Sequence, residues 1–310
     1  MTQDEGAASP GIARRDLMFA GAGAAALAFG IGNDERALAQ AAPPPVSPTS
    51  GPPGRVVVEK RGAILLIGID RPQAQNRFDP PILIGLGKAY YQLEHDDSLR
   101  VAVLHGIGPN FSLGVDVPAF VAGVKEGILP PKDPDFINAF NLKTPIRTKP
   151  VVVAAQGGTK YGAHELFLAA DIRVAASDCV FCQGEVTRGI FPGGGATVRF
   201  TREAGWGNAM RYMLTSEEWG AEEARRLGLV QEVTPPGKQL ERAVALANKI
   251  AAAAPLGVRA TLASAHQAIG GEDAALQALG PAFQHILQSA DAQEAQRAFR
   301  EGRAPVYQGL

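Results

Sequence analysis

Three stretches of this 310-residue sequence join glycine-bearing turns to acids. The first is Asn110-Phe111-Ser112-Leu113-Gly114-Val115-Asp116-Val117. The second runs from Lys149-Pro150-Val151 through Gln156-Gly157-Gly158-Thr159-Lys160-Tyr161-Gly162-Ala163-His164-Glu165-Leu166. The third is Phe181-Cys182-Gln183-Gly184-Glu185-Val186-Thr187-Arg188-Gly189-Ile190-Phe191-Pro192-Gly193-Gly194-Gly195. Each leads from the end of a strand-like run through a turn toward a helix start, where the first backbone N–H groups have no helical acceptor. Two such donors converging on one carbonyl oxygen make an oxyanion hole, and Glu165 and Glu185 supply carboxylates for proton transfer beside it.

The surrounding elements set where those turns lie. Two β-type runs, 55–59 and 63–69, flank a hairpin turn at Lys60-Arg61-Gly62. Residues 81–96 carry apolar side chains at helical spacing, and 100–105 and 150–155 read as buried strands. A helix begins near Gly162, followed by strand runs at 172–176 and 180–181 and a tight turn at 192–195. From Trp206 the pattern is helical apart from a strand run at 229–233, with Ala/Leu-rich helices over 239–254, 257–269 and 273–288. The expected fold class is α/β with a helical C-terminal region, in one contiguous unit.

Composition narrows the function. The chain is 46% hydrophobic and 20% charged, so it has the makings of a packed core. A formal charge of −1 points to no nucleic acid and no anionic membrane surface. Two cysteines make neither a disulfide framework nor a four-thiolate zinc site, and no metal is expected. Cys179 and Cys182 match C-x-x-C, but residues three apart on a strand point to opposite faces. The glycines at 193–195 lack the following Lys-Ser/Thr of a phosphate loop. Arg14-Arg15, an uncharged stretch from Leu17 to Ile31 and Ala37-Leu38-Ala39 resemble a twin-arginine export signal over 1–39. A Pro-rich spacer over 40–54 follows, and the folded body is expected from about Arg55. If the signal is used the protein is periplasmic, otherwise cytoplasmic.

Together the three stretches resemble the crotonase, or enoyl-CoA hydratase/isomerase, superfamily, whose signatures look like F-x-A-G-x-D-L, K-P-V-x-A-x-x-x-G-x-x-x-G-G-G-x-E-L and F-x-Q-P-E-x-x-x-G-x-x-P-G-x-G. The likeness runs from Arg55 through Asp70-Arg71-Pro72 and Asn76 to Phe299 and Arg303-Ala304-Pro305-Val306-Tyr307. It implies the family's ββα spiral core over 55–254, a helical region over 255–310 in the same unit, and a homotrimer or dimer of trimers. It also implies an acyl-CoA-type substrate, with no cofactor beyond the coenzyme A that the substrate carries. Residue by residue, it places Leu113 and Gly162 as the backbone oxyanion donors, Glu165 as the group activating water, and Glu185 as the group exchanging a proton with the α-carbon. Members with both acids tend to be hydratases, so hydration of a 2-enoyl thioester is the expected reaction.

Three departures bear on the substrate. Leu113 stands where a small residue is usual, Tyr161 and His164 occupy the helix-start turn, and Gly184 replaces the Pro before the second Glu. Tyr161, His164 and Asp116 are therefore pocket candidates, although Asp116 also reads as a cap or loop anchor and His164 as a packed core residue. His164 beside Glu165 supports an alternative, a coenzyme-A-independent β-diketone C–C hydrolase. A third reading is a non-enzymatic binding protein on the same scaffold.

Overall fold

The hairpin that opens the body is tighter than its sequence suggests. In the computed structural model, which describes residues 51–310, β1 (Arg55–Arg61) pairs antiparallel with β2 (Ile64–Asp70), with Arg61 opposite Ile64. The strand continues through Lys60 and Arg61, and Gly62 takes the positive φ (59°) that a two-residue turn requires. The segment expected to be an export signal lies outside the described residues, as does most of the spacer.

Four strands, the first three largely apolar, then stack in parallel on β2. These are β3 (Val101–Gly106), β4 (Val151–Ala155), β6 (Ile172–Ala176) and β9 (Glu232–Thr234), in the order β1-β2-β3-β4-β6-β9. Near-continuous apolar runs suit a sheet covered on both faces. One face meets α1 (Pro80–His95) through Ile82, Leu86, Tyr90 and Leu93, together with Phe78 and Phe111. The other meets α7 (Gln239–Ala251) through Ala243 and Ala247, packed on Val101, Val103, Val152 and Val174.

A second, three-stranded sheet holds β5 (Gly158–Lys160), β7 (Val180–Cys182) and β8 (Trp219–Gly220). Between the strands lie α2 (Val117–Lys125), α3 (Gly162–Leu168), α4 (Ala196–Ala204), α5 (Trp206–Thr215) and α6 (Ala221–Arg226). The chain ends in α8 (Pro255–Gly270), α9 (Glu272–Leu287) and α10 (Ala290–Glu301). The last of these, with Ser289 as its N-cap, lies in the expected helical region but was not delimited as a separate helix from the sequence.

In parallel sheets, ligands bind beyond the carboxyl ends of the strands. Here the segments that follow β2, β3 and β4, namely 71–79, 107–116 and 156–161 (the last containing β5), leave from that edge. Buried polar groups tie them together. Arg71 Nη1 donates to Asp116 (2.8 Å) and its Nε lies 3.4 Å from Asp79. Asn76 accepts the Arg71 N–H and donates to the carbonyls of Ile107 and Asn110. Asn110 in turn accepts the Gly158 N–H.

The body begins a little earlier than expected. Gly54 is buried, its N–H donates to Asp79 Oδ2 at 2.7 Å, and a Cβ there would lie 2.4 Å from Ile82. The Pro52 carbonyl accepts from Arg71 Nε. The end of the presumed spacer is thus part of the fold, because it satisfies a carboxylate that would otherwise be buried short of a donor. A chain starting at Gly51 should keep its thermal midpoint. One starting at Arg55 should melt about 2–6 °C lower, the loss expected for roughly 1–2 kcal/mol in a domain of this size. Scanning calorimetry of the two truncations checks this, and equal midpoints would refute the anchoring role.

Candidate active site

Glu165 and Glu185 come from different elements and meet in one buried region. Glu165 lies on α3 and is 2% exposed, and its Oε1 accepts the N–H of Ala196, the first residue of α4. Gly194 passes so close behind it that a Cβ at 194 would sit 2.6 Å from Oε2. That approach explains the triple glycine, which serves as a close-packed turn and not as a phosphate loop. Glu185 opens the 3-10 turn Glu185–Arg188, is 6% exposed, and accepts from Gln183 Nε2 on both oxygens at 2.9 Å.

Burial, then the Glu185 charge, raises the Glu165 carboxyl well above the ordinary carboxylate range. Burial raises Glu185 too, against the Gln183 hydrogen bonds and the nearby Arg188 charge. Two like charges in a dry site cannot both persist, so near neutrality the pair holds about one proton.

The two residues expected as oxyanion donors lie where the loops cross. Ser112 pairs with Thr159 in an isolated parallel bridge, its N–H donating to Gly158 and its carbonyl accepting from Lys160. Gly114, at φ 82°, then passes against the start of α3. A Cβ at 114 would lie 2.9 Å from the Lys160 carbonyl oxygen and 3.2 Å from the Gly162 nitrogen. Only glycine allows both that φ and that approach. Gly162 is the first residue of α3, and its N–H has no acceptor among the described residues. The Leu113 N–H differs from expectation, because it donates to the Gln75 carbonyl at 3.1 Å. Gln75 and Asn76 both adopt left-handed backbone (φ 56° and 54°), which turns the Gln75 carbonyl onto the 113 loop. The Leu113 side chain packs over Gly158, where a Cβ would meet its Cδ2 at 2.2 Å.

Two pocket candidates are corrected. Consecutive helical residues point about 100° apart, so Glu165 and His164 face different ways. His164 is fully buried, its ring 5.2–6.3 Å from those of Trp219, Phe200, Phe181 and Phe167. Its Nδ1 bonds Gln183 Oε1 at 2.6 Å. Because Gln183 Nε2 serves Glu185, the Gln183 oxygen is the acceptor and His164 Nδ1 carries the hydrogen. Burial depresses the imidazole to about 4, so it is neutral. His164 thus orients the amide that holds Glu185, and the β-diketone alternative loses its base. Asp116 is likewise an anchor, paired with Arg71 and accepting the Ala119 N–H at 3.5 Å to cap α2.

Tyr161 does sit at this crossing, half-buried, at φ 58° and ψ −130°. Its ring edge would lie 3.2 Å from a Cβ at 184, so Gly184 and Tyr161 are one departure and not two. Arg188 caps the ring, its guanidinium carbon 3.8 Å from the centroid. The C-x-x-C thiols are separately engaged, Cys179 with Thr159 Oγ1 (3.2 Å) and Cys182 with the Ser216 carbonyl (3.6 Å). Burial pushes Cys179 up to about 12, which makes it an inert core thiol. The sequence offered Gln183 within its third motif; the Gln75 carbonyl carried no signal, since its role is a backbone orientation.

A parallel-sheet edge bearing a helix-start N–H beside two buried, coupled carboxylates defines an enzyme site that can polarise a carbonyl and move protons next to it. The comparisons agree: the chain matches the enoyl-CoA hydratase/isomerase family model over residues 59–309 and belongs to that family of enzymes. It is 32% identical to the enoyl-CoA hydratase EchA19 of Mycobacterium tuberculosis over 265 residues, covering 84% of this chain and 97% of that protein. It is 31% identical to the short-chain-enoyl-CoA hydratase of Clostridium acetobutylicum, covering 80% and 95%. Among solved structures, a probable enoyl-CoA hydratase/isomerase from Mycobacterium abscessus superposes with TM-score 0.79 at 41% identity, covering 82% and 98%.

The raised Glu165 carboxyl fixes a sign for stability against pH. Between the ordinary carboxylate range and its raised folded value, the folded state binds the extra proton and the unfolded state does not. Stability from this group is therefore full at low pH and lost as pH rises. Glu165→Gln copies the protonated form and should gain on the wild type between pH 5 and 8, by roughly 2–6 °C in midpoint whatever its offset at pH 5. A difference that stays flat across that range would mean Glu165 is ionised throughout.

Proposed function

We propose that this enzyme adds water across the 2,3 double bond of a 2-enoyl coenzyme A thioester. The observation that carries the reading is the coupled pair Glu165 and Glu185, buried together beside the unengaged Gly162 N–H. Hydration needs one carboxylate to take a proton from water as its oxygen bonds to the β-carbon. It needs a second, protonated carboxyl to deliver a proton to the α-carbon. A pair that holds one proton meets both needs. By family resemblance Glu165 is the group on the water and Glu185 the group on the α-carbon.

As the C–O bond forms, negative charge moves onto the thioester oxygen. The Gly162 N–H, carrying the partial positive charge of a helix start, stabilises it there. The Leu113 N–H joins as second donor once the thioester oxygen displaces the Gln75 carbonyl. Each donor of this kind is worth about 3–4 kcal/mol in the barrier.

The chain beyond residue 254 leaves Leu276, Phe283, Leu287, Phe299 and Val306 between 48 and 88% exposed. Such a surface is more than a monomer ordinarily leaves wet, which supports the homotrimer or dimer of trimers. Light scattering behind size exclusion should give three or six times 32.4 kDa less any leader; a monomer would overturn the assembly.

Crotonyl-CoA hydration, followed as loss of enoyl-thioester absorbance, tests the activity. Glu165→Gln and Glu185→Gln should each lower kcat by about 10²-fold or more with little change in KM, as for groups used in the transition state. Full turnover in either variant would remove that glutamate from the mechanism.

A further inference from the structure

Two arginines without carboxylate partners flank this site, and the mechanism uses neither. Arg77 follows the Asn76 anchor, is half-buried, and donates Nη1 to the Leu113 carbonyl at 3.2 Å. Arg188 lies on the far side, three residues after Glu185, stacked over Tyr161. Tyr161 touches the Gly114 turn on one side and Gly184 on the other, so the two guanidiniums bracket the crossing of the 113–114 and 161–162 segments. Among the described residues neither guanidinium lies within 4 Å of a carboxylate, whereas Arg71, Arg147, Arg173, Arg211 and Arg242 all do. Burial and the Arg188 charge lower the Arg77 guanidinium, with Asp116 and Tyr161 acting the other way, as expected of cations facing one space. Arg77 is half-buried and Arg188 exposed, so the Arg77 charge is the one held at a desolvation cost, which an anion joining the two guanidiniums would offset.

We propose that Arg77 and Arg188 recognise a carboxylate on the acyl chain of the substrate, so that the preferred thioester is that of a dicarboxylic enoyl acid and not of a plain fatty enoyl acid. This rests on the hydratase reading for the position of the thioester. The planar fork of a guanidinium suits a carboxylate, and Tyr161 holds the Arg188 fork flat at the mouth. Neither arginine hydrogen-bonds Glu165 or Glu185, and Arg188 acts on Glu185 through its charge alone, which leaves both forks open to this role.

Binding tests the proposal without requiring turnover. Adipyl-CoA and hexanoyl-CoA are saturated thioesters of equal chain length that differ in the terminal carboxylate. Calorimetry on the full chain should show adipyl-CoA binding at least about tenfold tighter. That ratio should fall to within about threefold of unity in Arg188→Gln and in Arg77→Gln, and return in part in Arg188→Lys, with melting midpoints confirming that each variant is folded. Adipyl- and hexanoyl-pantetheine, which lack the carrier's phosphates, should show the same preference. Equal affinity of the two CoA thioesters for the wild type overturns the proposal while crotonyl-CoA turnover keeps the hydratase reading intact. A preference that survives both substitutions, or disappears with the phosphates, overturns it as well. Failure of both thioesters to bind overturns it together with the reading beneath it.

Discussion

Two carboxyl groups brought into one dry space cannot both be charged, and much of the architecture around 165 and 185 follows from that constraint. Burial raises both, and the Glu185 charge adds to the cost of ionising Glu165. The protein limits the penalty with dipoles and not with a paired cation. Ala196 N–H at the start of α4 serves Glu165, and the Gln183 amide serves both oxygens of Glu185. A cation in contact would hold both groups ionised and remove the proton that the pair shares. Neutral donors stabilise one negative charge and leave the proton free to sit on either carboxyl.

The neutral donors themselves need support. Gln183 presents its NH₂ to Glu185 only because its oxygen is claimed by His164 Nδ1, and His164 stays neutral because four aromatic rings exclude water from it. A charged imidazole there would sit in an apolar box with an unpartnered Nε2. The aromatic cluster of Phe167, Phe181, Phe200 and Trp219 therefore reaches Glu185 through two side chains, His164 and Gln183.

Much of this was legible in the sequence, and the misses have a common cause. The helix over 80–95 was readable to within a residue because its apolar spacing is a local signal, although its cap, Asp79, was not read. The two glutamates were readable because turn, helix and acid stand in one short stretch. His164 was misplaced because adjacency along the chain says nothing about which side of a three-turn-or-shorter helix faces the cavity. Asp116 is decided by Arg71, forty-five positions away, and Gly54 by Asp79, twenty-five away. Tyr161 and Gly184 looked like separate oddities until the ring was seen to fill the space that the glycine leaves. Pairings over such separations leave no periodic trace.

The least anticipated feature is that one of the two expected oxyanion donors is already engaged. The Leu113 N–H faces the Gln75 carbonyl, and that carbonyl is aimed by two successive left-handed residues held by the Asn76 side chain. The Gln75 side chain is exposed, while its N–H donates to the Pro72 carbonyl and its carbonyl accepts from Leu113. Exchanging a neutral carbonyl for a thioester oxygen at the same N–H changes little in the ground state. The exchange becomes favourable as negative charge builds on that oxygen, because a charged acceptor bonds an N–H about twice as strongly as a neutral one. A donor released in proportion to developing charge favours the transition state over bound substrate, which is the difference that accelerates a reaction.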